Sequence, residues 1–411
     1  METNYSPELW RQASVRKYLL LGGLNYLAMS IHATTYVLFL LSRGANLWQA
    51  SLVNICFMVT VFFMEVPTGA FADHYGRRLS IMISCGLMLG GSVLYFFSHC
   101  FWFFVLSEII VGVGITFMSG ALDAWLVDSL QHHGYSSLKA KVFRRRQLFE
   151  AGGIIIGSTI GSRLGLLNLA LPWLASGIVF VLMGFYASTI KEGYRQGAKP
   201  LTTKLSGWHR HASRTCLGYL KNRDIAYVMF FGALLSLSLQ AINMQWTKFF
   251  SSEYALSVGH LNWVMFGIAL AKAGSGPLSK YVKRLCRSEK QALVLTQLLT
   301  ATAILIMTQA NGLLLATTAF WFHEIGRELF SPLKQTYLNN QISSAHRATV
   351  LSLDSMIMRI GSFSGLFLCG WLANNYSIKI AWLFSGCFLL LMVFIFLLLR
   401  VKRLKPKTDL S

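Results

Sequence analysis

The sequence predicts an all-α membrane protein of twelve transmembrane helices in two pseudo-symmetric six-helix halves. Three observations carry this prediction. The chain of 411 residues is 54% hydrophobic and only 13% charged, about half the charged share of an ordinary soluble domain. Its apolar residues gather in blocks of about 20, the length a helix needs to cross a bilayer. The charge that remains is concentrated in every second connecting segment.

The blocks run, in order, over residues 18–41, 49–70, 80–99, 101–124, 147–166, 168–190, 226–249, 261–279, 291–309, 312–333, 349–371 and 378–399. They lack the alternation of a lipid-facing barrel strand, and lipid leaves a free backbone N–H without a partner, so they are read as helices. With both termini inside, the inner segments are 1–17, 71–79, 125–146, 191–225, 280–290, 334–348 and 400–411, and they hold 30 of the 37 Lys and Arg. The outer loops and outer span ends hold Arg43, Arg163, Lys248 and Lys379, and only Lys272, Arg327 and Arg359 lie deeper within spans. This is the positive-inside bias. It predicts a multi-pass protein of the cytoplasmic (inner) membrane with both termini cytoplasmic; the expected partner is the lipid bilayer, and the expected state, on which the charge pattern does not bear, is a monomer. It also accounts for the net charge of +21 without nucleic acid. The first block is too long for the apolar core of a cleavable signal and reads as a span. The seven cysteines form no CxxC pair; they are expected to be reduced, with no zinc site, no other metal and no cofactor.

The chain divides into residues 1–190, a linker at 191–225, and residues 226–411. The linker carries eight Lys and Arg beside Leu201, Leu205, Trp208, Leu217 and Tyr219. It reads either as a short helix on the inner membrane surface, held by anionic lipid, or as a solvated connector. The halves echo each other. "GAFADHYGRR" after the second span has a counterpart in "GPLSKYVKR" after the eighth, 207 residues on. Gly153 and Gly157 match Gly361 and Gly365 at an offset of 208. Small residues four apart let membrane helices approach closely, and parallel repeats of this size build one large class of secondary transporters.

"GAFADHYGRR" also resembles the signature Gly-x-x-x-Asp-x-x-Gly-Arg-Arg/Lys of the major facilitator superfamily. Gly69, Asp73, Gly76, Arg77 and Arg78 occupy its key positions. The resemblance implies a cytoplasmic latch between the halves. Asp73 would face the start of the eleventh helix near Ala348 and Thr349, where a carboxylate is favoured by the helix dipole. Arg77 would pair with Asp128 at the end of the fourth span, Gly69 would allow close packing and Gly76 a tight turn. Arg78 reads as latch or as positive-inside anchor.

Two further motifs of the family fit incompletely. Where many members have Arg-x-x-x-Gly-x-Gly, this chain has "EIIVGVG", with Glu108 in place of arginine. The antiporter signature of the fifth helix is present as "GIIIGSTIGS": three glycines fit, while Ser158 and Ser162 replace proline and the last glycine. These glycines and the loop motif together resemble the drug/proton antiporter branches.

Polar side chains inside spans are costly and mark a cavity or a partner. Spacings of three and four place four sets on single helix faces: Asn25, Met29, His32 and Tyr36; Glu108, Gly112, Thr116, Ser119 and Asp123; Ser236, Gln240, Asn243 and Thr247; Glu324, Arg327, Glu328 and Ser331. They fall on spans one, four, seven and ten, which line the central cavity in the superfamily. The neutral members serve either substrate or interhelical hydrogen bonds. His323, Glu324, Arg327 and Glu328 form the densest cluster, which with Arg359 reads as a static ion-pair network or as a proton site. Burial disfavours an ionised carboxylate and a nearby Arg restores it, so Glu108, with no basic residue in its span, is the better proton carrier. His32 and Glu324 are the other coupling candidates. Glu65 reads as an inner-end structural pair.

The sequence therefore predicts a secondary active transporter that exports a small organic solute (drug, metabolite or siderophore-like) in exchange for protons, by alternating access. The alternatives are proton-coupled nutrient uptake on the same fold, and a receptor or scaffold that does not transport. An enzyme is disfavoured, since there is no metal-ligand cluster, nucleophile elbow or nucleotide loop.

Overall fold

The computed structural model describes residues 6–192, 218–342 and 346–398. Most of the linker, including Leu201, Leu205, Trp208 and Leu217, lies outside the described residues. After a short helix, Ser6–Arg11, twelve long helices follow: α1 (Ala13–Ala33, continued by Tyr36–Ser42), α2 (Leu47–Tyr75), α3 (Arg77–Phe97), α4 (Phe101–His132), α5 (Lys139–Leu167), α6 (Leu171–Ser188), α7 (Arg223–Glu253), α8 (Leu261–Leu285), α9 (Glu289–Gln309), α10 (Leu313–Gln341), α11 (Arg347–Asn375) and α12 (Ile378–Leu398).

Each expected block lies on one of these helices, with two differences. The first block is broken at Thr34–Thr35, whose hydroxyls donate back to the carbonyls of Ile31 (3.3 Å) and His32 (3.2 Å). Several helices also outrun their apolar blocks: α4 continues to His132 and α10 to Gln341. Apolarity marks the part of a helix that meets lipid, whereas the backbone ladder continues through polar turns until a cap ends it. Among the described residues nine helices are long and apolar enough to cross a membrane on composition alone. The other three, α5, α8 and α10, carry Arg146 and Glu150, Lys272, and the Glu324–Arg327–Glu328 group respectively.

Side-chain caps fix several starts. Asn46 and Gln49 form a reciprocal capping box at α2, and Asn222 and Ser288 accept from the first turns of α7 and α9, satisfying N–H groups that a helix start leaves unpaired. Pro67, Pro277 and Pro332 lie inside α2, α8 and α10 without ending them.

The packing repeats. In the first half α1 lies on α5 and α6, α3 on α4 and α6, and α2 on α4; in the second α7 lies on α11 and α12, α9 on α10 and α12, and α8 on α10. A methyl group at Gly153, Gly157 or Gly161 of α5 would strike the carbonyls of Gly23, Leu27 and Ile31 on α1. One at Gly361 or Gly365 of α11 would strike those of Ala233 and Leu237 on α7. Both repeats thus rest on backbone-to-backbone contact that tolerates only glycine.

The halves meet through α5 against α8 and α2 against α11. At the end carrying the Lys- and Arg-rich connections, called here the basic end, their apolar cores are separate: one includes Leu126, Val142 and Ile190, the other Ile225, Leu338 and Phe396. Toward the opposite end the cores are shared. Ala151 and Ile154 pack with Phe249, Phe250 and Trp382, and Phe39 and Trp173 with Met244 and Leu366. The molecule is closed at that end and parted at the basic end. Large apolar side chains on its outer wall, such as Val66, Trp102 and Leu314 (79%, 75% and 80% exposed), are explained by a surrounding bilayer.

Candidate functional site

The loop between α2 and α3 has a defined geometry. Gly76 adopts φ +114°, a backbone conformation that disfavours a side chain, and an added Cβ would lie 2.5 Å from Glu192 Oε2. The Arg78 backbone N–H donates to Glu192 Oε1 at 2.5 Å. Glu192, just after α6, thereby supplies the anionic cap that Gly76 lacks the side chain to provide. Arg77 lies 2.5 Å from Asp73, one turn before it, and 3.9 Å from Asp128. Gly69 faces open space, so the close packing expected there is not made in this conformation, where the halves are parted. The side chains of Ala348 and Thr349, expected opposite Asp73, lie outside the described residues.

The proton-coupling candidates of the first half share one closed cluster. Glu108 is buried and accepts from the Tyr95 hydroxyl at 2.8 Å. Tyr95 stacks on Trp173 at 3.9 Å and Trp173 on His32 at 4.3 Å. His32 Nδ1 lies 3.1 Å from Ser176 Oγ, whose hydroxyl donates to the Ala28 carbonyl. Tyr36 packs edge-on to both Tyr95 and Trp173. Among the described residues Glu108 has no ion-pair partner. The cluster lies on the closed side of the molecule. Glu108, expected on a cavity stripe of α4, is turned here toward Tyr95 of α3 and covered.

Nearer the basic end, charges are linked across helices. Asp123 on α4 accepts from the Tyr18 hydroxyl at 2.8 Å and pairs with Arg146 on α5. Arg146 also holds Glu150 at 2.6 Å, and Glu150 in turn holds Lys272 on α8 at 3.1 Å. Lys272 donates to the Tyr26 hydroxyl on α1 at 3.0 Å. On α10, Arg327 pairs with Glu324 at 2.5 Å and Glu328 at 3.2 Å, while His323, fully buried, lies 3.4 Å from Glu324. Arg359 does not join that group, contrary to expectation. It pairs with Glu65 on α2 at 2.6 Å, because α11 turns this face toward the other half.

The remaining candidates divide. Thr116 and Ser119 hydroxyls donate to carbonyls of their own helix. Gln240 is buried and Asn243 exposed on α7; Asn25 is half-buried on α1. Sequence reasoning missed Arg146, Glu150 and Tyr26, and also a buried pair of Lys334 on α10 with Asp354 on α11 at 2.6 Å. The i,i+4 spacing of Arg146 and Glu150 was the available signal, hidden because Arg146 also serves as an inside anchor.

Comparison with known proteins places this architecture. Over 392 residues the chain is 21% identical to an uncharacterised MFS-type transporter, YxaM, of Bacillus subtilis (strain 168), covering 91% of this chain and 93% of that one. The crystal structure of the nucleoside transporter NupG superposes with a TM-score of 0.77 at 15% identity, over 94% of this chain and 98% of the other. That of a D-xylose-proton symporter superposes with a TM-score of 0.73 at 15% identity, over 96% and 99%. The family model of the Major Facilitator Superfamily matches residues 18–285 and 227–411. The chain is a multi-pass membrane transporter, not an enzyme, and belongs to the Major Facilitator Superfamily.

Proposed function

We propose that the protein exports a small organic solute in exchange for protons across the cytoplasmic membrane, with both termini and the basic end in the cytoplasm. It works as a monomer of two rocking halves, 1–190 and 226–411, joined by 191–225. The observation that carries this reading is the division of the cores: shared at one end, separate at the other. Two halves that keep their own cores can exchange which end is closed without unfolding. The solute would bind where the cleft narrows, among Asn25, Ser119, Asp123, Asn243, Arg327 and Glu328.

Coupling falls to Glu108, with His32 and Glu324 behind it. Glu324 is already engaged in an ion pair with Arg327. Glu108 accepts from the Tyr95 hydroxyl and, among the described residues, has no ion-pair partner; a hydroxyl can reverse its hydrogen bond when the acid is protonated. In this state Glu108 is sealed from the cleft. Opening of the far end would expose it to the outside, and closure would carry the proton inward. Loop residues Asp73, Arg77 and Asp128, with Gly69 and Gly76, would latch the basic end when it closes; Arg78 is tied to Glu192 through its backbone.

Proton-driven uptake is the second reading, favoured by the likeness to a D-xylose-proton symporter. Purified protein in proteoliposomes with a pH dye inside separates the two. A solute gradient that drives protons in the opposite direction supports exchange; proton movement with the solute supports uptake. No proton movement with any transported solute would overturn both.

A further inference from the structure

A second site lies outside the cleft. A groove of about 630 Å³ sits at the basic end, between the turn joining α8 to α9 and the last turns of α12. Leu295, Leu298, Phe396 and Leu397 wall it, and Arg287 and Lys290 stand at its rim. Leu295 and Leu397 are 45% and 58% exposed. Exposed leucines on a membrane-spanning wall face acyl chains, so the groove opens sideways to lipid and is separate from the path between the halves.

The rim is built for an anion. Lys290 is held in place by Asp224 at 3.0 Å, a carboxylate that is itself nearly buried. The Arg287 backbone N–H donates to Gln291 Oε1 at 2.9 Å, which fixes the turn. Its guanidinium is exposed and, among the described residues, has no recorded partner. The surrounding segment, residues 280–290, carries five Lys and Arg against one acid.

We infer that this groove binds one anionic phospholipid, its headgroup phosphate on Arg287 and Lys290 and one acyl chain along Leu295, Leu298, Phe396 and Leu397. The chemistry has two ends, and each excludes a rival. A soluble phosphate would use the rim but not the apolar wall. A zwitterionic lipid would use the wall but bring its own cation beside the Arg287 guanidinium, the rim cation that no acid of the described residues pairs. Basic pockets between helices at the cytoplasmic surface select anionic headgroups in this way. The site rests on the reading that the basic end lies at the membrane surface, but not on what is transported or in which direction.

The test is lipid retention by the full-length protein in detergent, read by native mass spectrometry with phosphatidylglycerol and phosphatidylcholine of identical chains. The wild type is expected to prefer the anionic lipid by about tenfold. Arg287→Gln, which breaks no recorded contact of the fold, is expected to lose most of that preference. Lys280→Gln with Arg284→Gln, at the same end but outside the groove, should keep it. Leu298→Trp, which fills the wall, should lower retention of both lipids. Inorganic phosphate at millimolar concentration should not displace the lipid; displacement would assign the rim to a free anion. Equal preference in wild type and Arg287→Gln, or its loss only in the Lys280/Arg284 variant, would overturn the site whatever the transport assays show.

Discussion

Glu65 on α2 and Arg359 on α11 form an ion pair at 2.6 Å that joins the two halves. Glu150 on α5 and Lys272 on α8, 3.1 Å apart, form its counterpart across the other interface. The repeat relates them: Lys272 follows Glu65 by 207 residues and Arg359 follows Glu150 by 209, close to the 208 of the paired glycines. Equivalent places on the two repeats carry opposite charges. Both pairs lie at the level where the shared core gives way to separate ones, so a rocking motion must load or break them.

The first pair is partly exposed, at 27% for Arg359 and 53% for Glu65, and water screening keeps its static worth at about 1 kcal/mol or less. Its effect is expected in turnover. Glu65→Arg and Arg359→Glu should each slow flux in proteoliposomes several-fold, and the double exchange should recover at least half the lost rate. A double exchange slower than either single change would show that the residues act independently.

The second pair is more buried, and its partners are unequal. Lys272→Gln leaves Glu150 with Arg146, whereas Glu150→Gln removes the carboxylate that pairs with Lys272 and leaves that charge facing the Tyr26 hydroxyl and ring. Stranding one buried charge costs about 3–5 kcal/mol. Thermal unfolding in detergent should therefore rank Glu150→Gln below Lys272→Gln, with the wild type highest. The reverse order would mean that Tyr26 satisfies the lysine by itself.

At the loop, Asp73→Asn should leave the protein folded and inserted but reduce turnover, because the latch would lose its charge for the closed state. Gly76→Ala should cost about 1–3 kcal/mol from its backbone angle in addition to the clash with Glu192. Adding Glu192→Ala should relieve only the clash. Wild-type flux in a well-expressed Asp73→Asn variant would remove the latch from the cycle.

Glu108→Gln keeps size and hydrogen bonding but removes titration. The variant should bind solute and exchange it down a gradient while losing pH-driven accumulation by at least tenfold. Flux with and without an imposed pH gradient gives the answer. Undiminished accumulation would move the assignment to Glu324 or His32.

Much of this fold is legible in the sequence because lipid imposes it. Apolar blocks must be helices, basic residues must lie at one end, and the glycines at 153, 157, 361 and 365 mark where backbones touch. The site is legible by helix face but not by depth. Periodicity put Glu108 and His32 on inward stripes, yet which end is covered depends on how the halves stand. Partners across the halves were hidden for the same reason. Nothing local to Arg359 points to Glu65, which lies 294 residues away, whereas the acids of α10 lie much nearer in sequence. Arg146 was masked by its second role among the basic residues of the inner segment.

The sign reversal between repeats also governs which halves can meet. A first half set against a copy of itself would place Glu65 opposite Glu150, acid facing acid, in a partly dehydrated contact. A second half against its own copy would place Lys272 opposite Arg359. Only unlike halves match at both interfaces. Like charges brought together at both interfaces add a repulsive element against the wrong pairing to the attraction within the right one. The pairing rule is therefore written in the helices themselves, and the linker need only keep the correct partner near.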